Sequence, residues 1–244
     1  MLAASVASIA AVIPYVMTLE ADILKKVKLP MPIWELLILQ MAENTLLFAV
    51  LIIAGLYFAR QMGLGLPMLE SVLRGEPFGR EARKTIAVSV VIGVLVAGFV
   101  AAADIAFGIA GVSIKSPNAS PPAWQGFLAA FYGGIAEEIV FRLFLMTLIA
   151  WGLRLIKRML DRSPSSAEMW LAVSISAVLF GLGHLPATAA LTELTGTIVL
   201  RAIILNGIYG LVAGWLYWKK GLESAMVAHF TGDLVLHVLV PLLM

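Results

Sequence analysis

The stretch "FYGGIAEEIVFRLFL", residues 131–145, places two adjacent glutamates and an arginine in an otherwise apolar run. The sequence on both sides of it is as apolar as the inside of a membrane. A charged side chain at membrane depth is costly unless it has a partner or a task. Glu137, Glu138 and Arg142 therefore need a structural or a functional explanation.

The whole chain is apolar enough to be a membrane protein. Of its 244 residues, 61% are hydrophobic and 13% are charged, and the mean hydropathy is +0.98. Soluble domains have about 45–50% apolar and about 25% charged residues, and a chain of this length cannot hide so much apolar surface in one core. The apolar runs are continuous and lack the alternation of barrel strands. We therefore predict an all-α, polytopic transmembrane helix bundle: an integral, multi-pass membrane protein, in the cell membrane if the source is prokaryotic.

Seven apolar runs are long enough for a hydrocarbon core, which takes about 20 helical residues. They are residues 2–19, 33–59, 85–110, 123–153, 168–186, 197–218 and 222–243. The run 123–153 is long for one span and is either tilted or broken near Gly133 and Gly134, which gives seven or eight helical segments. We expect a single membrane domain over 1–244, with N-terminal helices in 1–122 and a motif-bearing core in 123–237.

Basic residues lie at the ends of the apolar runs, as membrane topology predicts. The net charge of +2 is too small to indicate a nucleic-acid partner. Basic-rich segments alternate with basic-poor ones, and the positive-inside rule places the rich ones in the cytoplasm. The rich segments are 60–84, 154–162 and 219–220, and the poor ones are 111–122, where Lys115 is the only basic residue, and 187–196. The segment 20–32, with Lys25, Lys26 and Lys28, departs from this pattern, so that either the first run does not span or this segment is an interfacial turn.

Two further features belong to the membrane surface. Residues 64–84 mix apolar and charged side chains, which is typical of a short helix lying on the bilayer or of a solvated loop. Aromatic residues near span ends are typical of an interfacial belt. These are Trp151, Trp215, Tyr217 and Trp218.

All three histidines of the chain lie at membrane depth together with several charged residues. Such residues usually face the interior of a bundle and are functional candidates. They are Glu35, Glu43, Asp104, Glu137, Glu138, Arg142, His184, Arg201, His229, Asp233 and His237. We interpret Glu35, Glu43 and Asp104 as structural, and His237 as a residue at the membrane interface.

Helical spacing groups these candidates, because residues four apart share a helix face. Glu138 and Arg142 are predicted to pair, while Glu137 points about a hundred degrees away from Glu138. On two other helices, His184 follows Phe180 and Asp233 follows His229 at the same spacing of four. If the three helices meet, one polar cavity is surrounded by Glu137, His184, His229 and Asp233.

Two chemistries suit this set, and spacing does not choose between them. A glutamate and a histidine can deprotonate a water for attack on an amide carbonyl, and a second histidine with a polar neighbour can hold the oxyanion. Alternatively, Glu137, His184, His229 and Asp233 are a credible ligand set for zinc. The chain has no cysteine, which excludes disulfides, thiol catalysis and cysteine-ligated metals.

In sequence order, the residues read EExxxR at 137–142, FxxxH at 180–184 and Hxxx(D/N) at 229–233. This series resembles the motifs of the CPBP family, the CAAX proteases and bacteriocin-processing enzymes. The stretch "NGIYGLVAGWLYWKKGLESAMVAH", residues 206–229, also resembles the small-residue helix and basic turn that precede the last motif in that family. The resemblance covers about residues 123–237, and the N-terminal half matches only in being apolar helices.

The resemblance implies an intramembrane endopeptidase whose protein or peptide substrate is membrane-associated or lipidated, prenylated in some members. It implies that Glu137 and His184 activate the attacking water, that His229 and Asp233 stabilise the oxyanion, and that Glu138 and Arg142 support the site together with Phe180 of the FxxxH motif. Membrane lipids are the other expected partners, zinc remains the alternative to a metal-free mechanism, and cleavage is expected near the cytoplasmic face.

Asp233 departs from the prenyl endopeptidases of the family, which carry asparagine at the matching position. An ionised carboxylate would repel an oxyanion, so Asp233 would have to be protonated, or orient His229, or bind a metal. This departure argues against a prenyl-protein substrate and favours the broader prokaryotic branch of the family.

Two other functions stay open from the sequence. A proton- or ion-coupled transporter could use Glu137, His184 and Asp233 as a relay, although the inverted repeat common in transporters is not found. A family member could also act without catalysis, as an immunity or scaffold protein, although the complete residue set argues against this.

Overall fold

The computed structural model describes residues 1–114, 121–156 and 163–243, and within them every side chain except that of Asp22. Over these ranges the chain forms helices and no strand. Four basic residues used to orient the chain lie outside the described residues: Lys115, Lys157, Arg158 and Arg162.

Seven helical stretches of the described chain are long and apolar enough to cross a membrane. They are α1 (Leu2–Leu19), α3 (Ile33–Met62), α5 (Arg80–Ile109), α6 (Ala123–Ile156), α7 (Ser166–Gly183) continued by α8 (Leu185–Leu191), α9 (Gly196–Lys220) and α10 (Leu222–Leu243). Two short helices, α2 (Ala21–Lys26) and α4 (Pro67–Leu73), join the first three spans. The prediction of an all-α, polytopic helix bundle is confirmed.

Helix α6 is continuous, and the break considered at Gly133 and Gly134 is absent from it. Instead, the helix widens into π-helical turns over Tyr132–Glu137 and Ile139–Met146 before it returns to α geometry at Thr147. π-helical turns are rare and occur frequently at functional sites. In α6 they contain Glu137 and Arg142, and Glu138 lies between the two stretches.

Helix α6 lies at the centre of the bundle. It packs against α1 and α3 on one side and against α7 and α10 on the other. Six of its apolar side chains are completely buried: Ala130, Ala136, Ile139, Leu143, Met146 and Ala150. Because lipid gives helices no hydrophobic reason to associate, close packing of this kind is what holds a membrane bundle together.

Helices α7 and α9 make the most extensive helix–helix contact in the described chain. Small residues allow it: a Cβ added at Gly181 would lie 2.7 Å from the Cα of Ile203, and one added at Gly210 would lie 2.9 Å from the Cα of Ala177. This close approach positions the end of α7, where His184 lies.

The segment after α3 is fastened to the turn between α9 and α10. The backbone N–H of Leu222 donates to the carbonyl of Gly65 at 3.0 Å, and the N–H of Leu69 donates to the Glu223 carboxylate at 2.8 Å. Helix α4 leaves Leu69, Val72 and Leu73 exposed. The residues 64–84 thus contain the short surface helix that is one of the two sequence interpretations.

Two other sequence interpretations are decided by the fold. Helix α1 is long and apolar enough to span and leads directly into the short helix α2, which favours the interfacial turn for residues 20–32. The assignment of Tyr217 to an interfacial belt is wrong: its side chain is buried, and its hydroxyl lies 3.1 Å from the hydroxyl of Thr147. Burial between helices, which sequence position near a span end does not reveal, accounts for the difference.

Candidate active site

Glu138 and Arg142 form the buried pair that their spacing predicts. Oε2 of Glu138 lies 3.4 Å from Nε of Arg142, and the two side chains are 0% and 1% exposed. The guanidinium also lies over the ring of Phe180, 4.5 Å from its centroid. A cation stacked on an aromatic face and paired with a carboxylate is tolerable in a low-dielectric interior.

Glu138 has a second partner that helical spacing did not predict. Its Oε1 lies 2.6 Å from Nδ1 of His229 on α10. Because the carboxylate accepts, Nδ1 of His229 carries a proton and donates it, which fixes the ring orientation and turns Nε2 towards the rest of the site. Glu138 thus joins the arginine of its own helix to the histidine of another.

His184 is oriented by the backbone of its own helix. Its Nδ1 lies 2.8 Å from the carbonyl oxygen of Phe180. A carbonyl can only accept, so Nδ1 is the protonated nitrogen and Nε2 of the neutral ring presents a lone pair. The same phenylalanine packs edge-on against His184, with ring centroids 4.7 Å apart. Phe180 is therefore the common support of Arg142 and His184.

Glu137 lies between the two imidazoles. Its Oε1 is 3.8 Å from Nε2 of His184, and its Oε2 is 3.7 Å from Nε2 of His229. Its side chain is 17% exposed, in contrast to the fully buried Glu138. These separations are longer than direct hydrogen bonds, and polar groups at such distances can share a water.

Asp233 completes the group on α10. Its Oδ1 lies 3.8 Å from Nε2 of His229 and 4.0 Å from Nε2 of His237. The four side chains predicted to surround one cavity therefore do lie together, each within 3.8 Å of another member. They are Glu137, His184, His229 and Asp233.

Gly133 makes this assembly possible. A Cβ added there would collide with Oδ2 of Asp233 and lie 3.1 Å from Nε2 of His229. At the next position, a Cβ on Gly134 would lie 2.8 Å from Cβ of Phe230. The two glycines therefore let α6 approach α10 closely enough for their polar side chains to meet.

His237 adjoins the site and is also accessible. Its side chain is 41% exposed, which fits a position near the membrane interface. However, its Nδ1 lies 3.2 Å from the hydroxyl of Tyr15 on α1, and its Nε2 approaches Asp233. It therefore links α1 to the edge of the site.

Asp104 and Arg201 have a structural role. Nε of Arg201 on α9 donates to Oδ1 of Asp104 on α5 at 2.8 Å. This ion pair joins two helices, which agrees with the structural interpretation of Asp104.

A cavity of about 560 Å³ reaches Glu137 and His184. Its walls are mainly aliphatic and methionine side chains from α1 and α3, with the amides of Gln40 and Asn44 among them. Apolar clefts with a few polar groups are typical of ligand sites. The sequence did not predict Gln40 and Asn44 as site residues, because amides carry no charge and only ionisable residues were considered. It did not predict a role for α1, because that helix carries no motif.

Tyr209 is a further residue of the site that the sequence did not predict. Its ring lies 4.4 Å from the ring of His229, with Phe180 at 5.7 Å as a second aromatic neighbour. Two aromatic contacts limit the movement of the imidazole. Tyr209 lies within the stretch 206–229 that carries the resemblance, but the spacing of ionisable residues gives no sign of its role.

The described residues of the site include side-chain types that bind zinc, but these side chains do not converge on one position for an ion. Each imidazole donates through Nδ1, to a backbone carbonyl or a carboxylate, as zinc-binding histidines do. Among the described residues, however, no three or more His, Asp and Glu side chains come together in an arrangement that could hold a metal ion. We therefore derive no step of the reaction through a metal.

Residues 119–235 match the family model described as "Type II CAAX prenyl endopeptidase Rce1-like". Over these residues the chain is similar to this family. The match covers just under half of the chain and contains all three motifs, including Glu137, His184 and His229. No curated protein and no solved structure matches the chain.

This similarity to the CAAX-protease family indicates the class of activity. Together with the seven helices of spanning length, it indicates an integral, multi-pass membrane peptidase of the CAAX-protease type that acts on a protein or peptide substrate. The α1–α5 half, which supplies much of the cavity wall, lies outside the matched residues.

Proposed function

We propose that the chain is an intramembrane endopeptidase that hydrolyses a peptide bond with a water activated by Glu137 and His184. The observation that carries this proposal is the position of the Glu137 carboxylate, 3.7–3.8 Å from Nε2 of both histidines and on the wall of the 560 Å³ cavity. A water there can donate to the carboxylate and to the lone pair of His184, which is the arrangement of a general base.

The reaction follows from these positions. Glu137 takes one proton as the water oxygen bonds to the carbonyl carbon, and the carbonyl oxygen becomes an oxyanion. Protonated His229, oriented by Glu138, donates from Nε2 to that oxyanion. As the C–N bond breaks, the proton held by Glu137 passes to the leaving nitrogen. The products are a carboxylic acid and an amine, which accounts for every atom of the water and the amide.

The remaining residues hold this machinery in place. We assign supporting roles to Glu138, Arg142 and Phe180, because together they fix the rings of His184 and His229. Asp233 is placed to orient His229 from the side opposite Glu138 or, when protonated, to donate to the oxyanion itself. Misplacement of catalytic groups by about 1 Å can cost about a hundredfold in rate.

The cavity indicates an apolar substrate segment, either a hydrophobic peptide or one bearing a lipid. It is lined by α1 from Ile9 onward, by α3 up to Phe48, by α6 around Glu137, and by the junction of α7 and α8. These ends of the helices are joined by the basic-poor connections and by residues 20–32. Under the positive-inside rule, we propose that the substrate enters from the side away from the basic loops. Cleavage near the cytoplasmic face, the expectation from the sequence, is the alternative to this proposal.

The test is cleavage by purified protein in lipid vesicles, using fluorogenic peptides of the same sequence with and without a farnesyl group. We expect Glu137→Gln to reduce cleavage by about 10²–10⁴-fold, the usual contribution of a general base. Glu43→Gln is the matched control, because Glu43 is an exposed glutamate on α3. Cleavage by Glu137→Gln at the wild-type rate would contradict the proposal.

Metal content distinguishes the two mechanisms within the same experiment. Bound zinc at one equivalent, with activity lost to a chelator and restored by zinc, would support a metallopeptidase. Activity that persists without metal would support the glutamate mechanism. Absence of any cleavage, combined with vesicle uptake of protons or cations that depends on Glu137 and Asp233, would favour the transporter alternative.

A further inference from the structure

A second cavity, of about 810 Å³, lies at the opposite end of the bundle from the candidate active site's cavity. It is formed where the end of α3 and the segment leading into α4 meet the turn between α9 and α10. Its lining includes three cations, Arg60, Lys219 and Lys220, and one acid, Glu70. The mechanism proposed above uses none of these residues.

The walls of this cavity are fastened to each other. The Leu222 N–H donates to the Gly65 carbonyl, and Glu223 accepts from the Leu69 N–H. Gly221, at a φ of 98°, packs so closely on Pro67 that a Cβ there would collide with its ring. The cavity is therefore a fixed feature of the fold and not a gap between unconnected loops.

The cavity carries an excess of positive charge. The side chains of Arg60, Lys219 and Lys220 are exposed, and none of the three has an ion-pair partner within the described residues. Nζ of Lys219 lies over the ring of Trp218, 3.4 Å from its centroid. Glu70 already approaches Arg74, at 4.0 Å. Among the residues that line the cavity, the three cations thus outnumber the single carboxylate, which approaches Arg74.

One side of the cavity is apolar and continues onto the lipid-facing surface of α3. Leu56, Ala59 and Leu64 line it, and next to them Ile53 and Tyr57 are 70% and 60% exposed. A charged rim beside an apolar wall matches a molecule with an anionic head and hydrocarbon chains. A free phosphate ion would leave the apolar wall unused.

We infer that this cavity binds the phosphate headgroup of an anionic phospholipid from the leaflet on the basic side of the bundle. Arg60, Lys219 and Lys220 contact the phosphate, Trp218 lies at the headgroup level, and the acyl chains follow α3 past Leu56. Basic pockets between transmembrane helices are suited to such headgroups, and each cation near the surface contributes about fivefold in affinity.

The test is native mass spectrometry of the full chain in neutral detergent, titrated with phosphatidylglycerol or with phosphatidylcholine. We expect wild-type protein to bind phosphatidylglycerol at least tenfold more tightly. Lys219→Gln together with Lys220→Gln should weaken this binding about 25-fold, at about fivefold for each cation. The control is Arg80→Gln together with Arg83→Gln, which removes two charges at the same end but outside the cavity. Thermal unfolding verifies that both variants are folded.

Three results would overturn the inference. One is equal affinity for the two lipids, and another is equal weakening by the control pair, which would mean diffuse surface attraction. The third is displacement of the lipid by millimolar inorganic phosphate, which would identify a site for free phosphate. Since no readout involves cleavage, these outcomes are independent of the proposed peptidase function.

Discussion

At the level of single residues, the adjacent Glu137 and Glu138 have different surroundings and therefore different tasks. Glu138 is fully buried and bonded to His229 and Arg142. Glu137 is partly exposed, faces the cavity and makes no direct hydrogen bond at 3.5 Å or less to either histidine. A buried carboxylate that is hydrogen-bonded through Oε1 and ion-paired through Oε2 holds the structure, whereas a carboxylate beside a cavity can act on a water.

This difference predicts that the same substitution, glutamate to glutamine, destabilises the protein at one position and not at the other. Glu138→Gln should lower the free energy of unfolding by about 3–5 kcal/mol, because it leaves Arg142 buried without its counter-charge. Glu137→Gln should leave stability unchanged within about 0.5 kcal/mol while reducing cleavage by about 10²–10⁴-fold. Thermal unfolding of the two variants in one detergent measures both. Equal destabilisation by the two would show that Glu137 is also a structural partner.

Asp233 gives a second residue-scale prediction. Asp233→Asn removes the charge but keeps an acceptor and adds an N–H donor at the same position, so we expect it to retain at least a tenth of the wild-type cleavage rate. Asp233→Ala removes both functions and should cost about 10²–10³-fold, as loss of an oxyanion-hole donor does. If the asparagine variant is as inactive as the alanine variant, the carboxylate itself is required.

Sequence spacing predicted the pairs within a helix but not those between helices. The Glu138–Arg142 pair follows from i,i+4 geometry. The bond from Glu138 to His229 and the packing of Arg142 on Phe180 depend on how α6, α7 and α10 are placed, which local spacing does not encode. The set Glu137, His184, His229 and Asp233 could be proposed because each lies at membrane depth, where a charge or a histidine is rarely present without a reason.

At the scale of elements, α6 differs from a regular helix where the chemistry lies. Apolar periodicity predicts its span, but a change from α to π turns leaves no mark in that periodicity. The widened turns and Gly133 together place both glutamates against α10. The geometry of the site thus depends on two local features of a single helix.

Gly133→Ala tests this dependence. The added Cβ would collide with Asp233 and press on His229, so we expect a loss of unfolding free energy of about 1–3 kcal/mol and a fall in cleavage of about a hundredfold. Gly152→Ala is the matched control on the same helix, because no atom lies within 4 Å of its added Cβ. It should leave cleavage unchanged and stability equal or slightly higher. A Gly133→Ala protein with normal activity would show that α6 and α10 can separate at no cost.

At the scale of the whole molecule, the two cavities lie at opposite ends of one bundle. The candidate active site's cavity lies at the end with residues 20–32, and the basic cavity lies at the end with the turn Lys219–Lys220. Charge pattern predicted the polarity of the bundle, because the positive-inside rule needs only the sequence. The charge pattern gave no sign of which end holds the active-site cavity, because the residues of α1 and α3 that line it are all uncharged.

The orientation can be tested directly because the chain has no native cysteine. Single cysteines at Lys28 and Gly79 mark the two ends, and neither position is confined: Lys28 is exposed, and a Cβ at Gly79 meets nothing closer than 3.9 Å. In intact cells, a membrane-impermeant maleimide should label Lys28→Cys at once and Gly79→Cys only after permeabilisation. Gln40→Cys, in the cavity, should be labelled from outside, whereas Leu46→Cys, which is 70% exposed on the same helix, should stay unlabelled because it faces lipid. If Gly79→Cys is labelled in intact cells and Gln40→Cys only after permeabilisation, the chain is inserted the other way. The catalytic cavity would then receive its substrate from the cytoplasm.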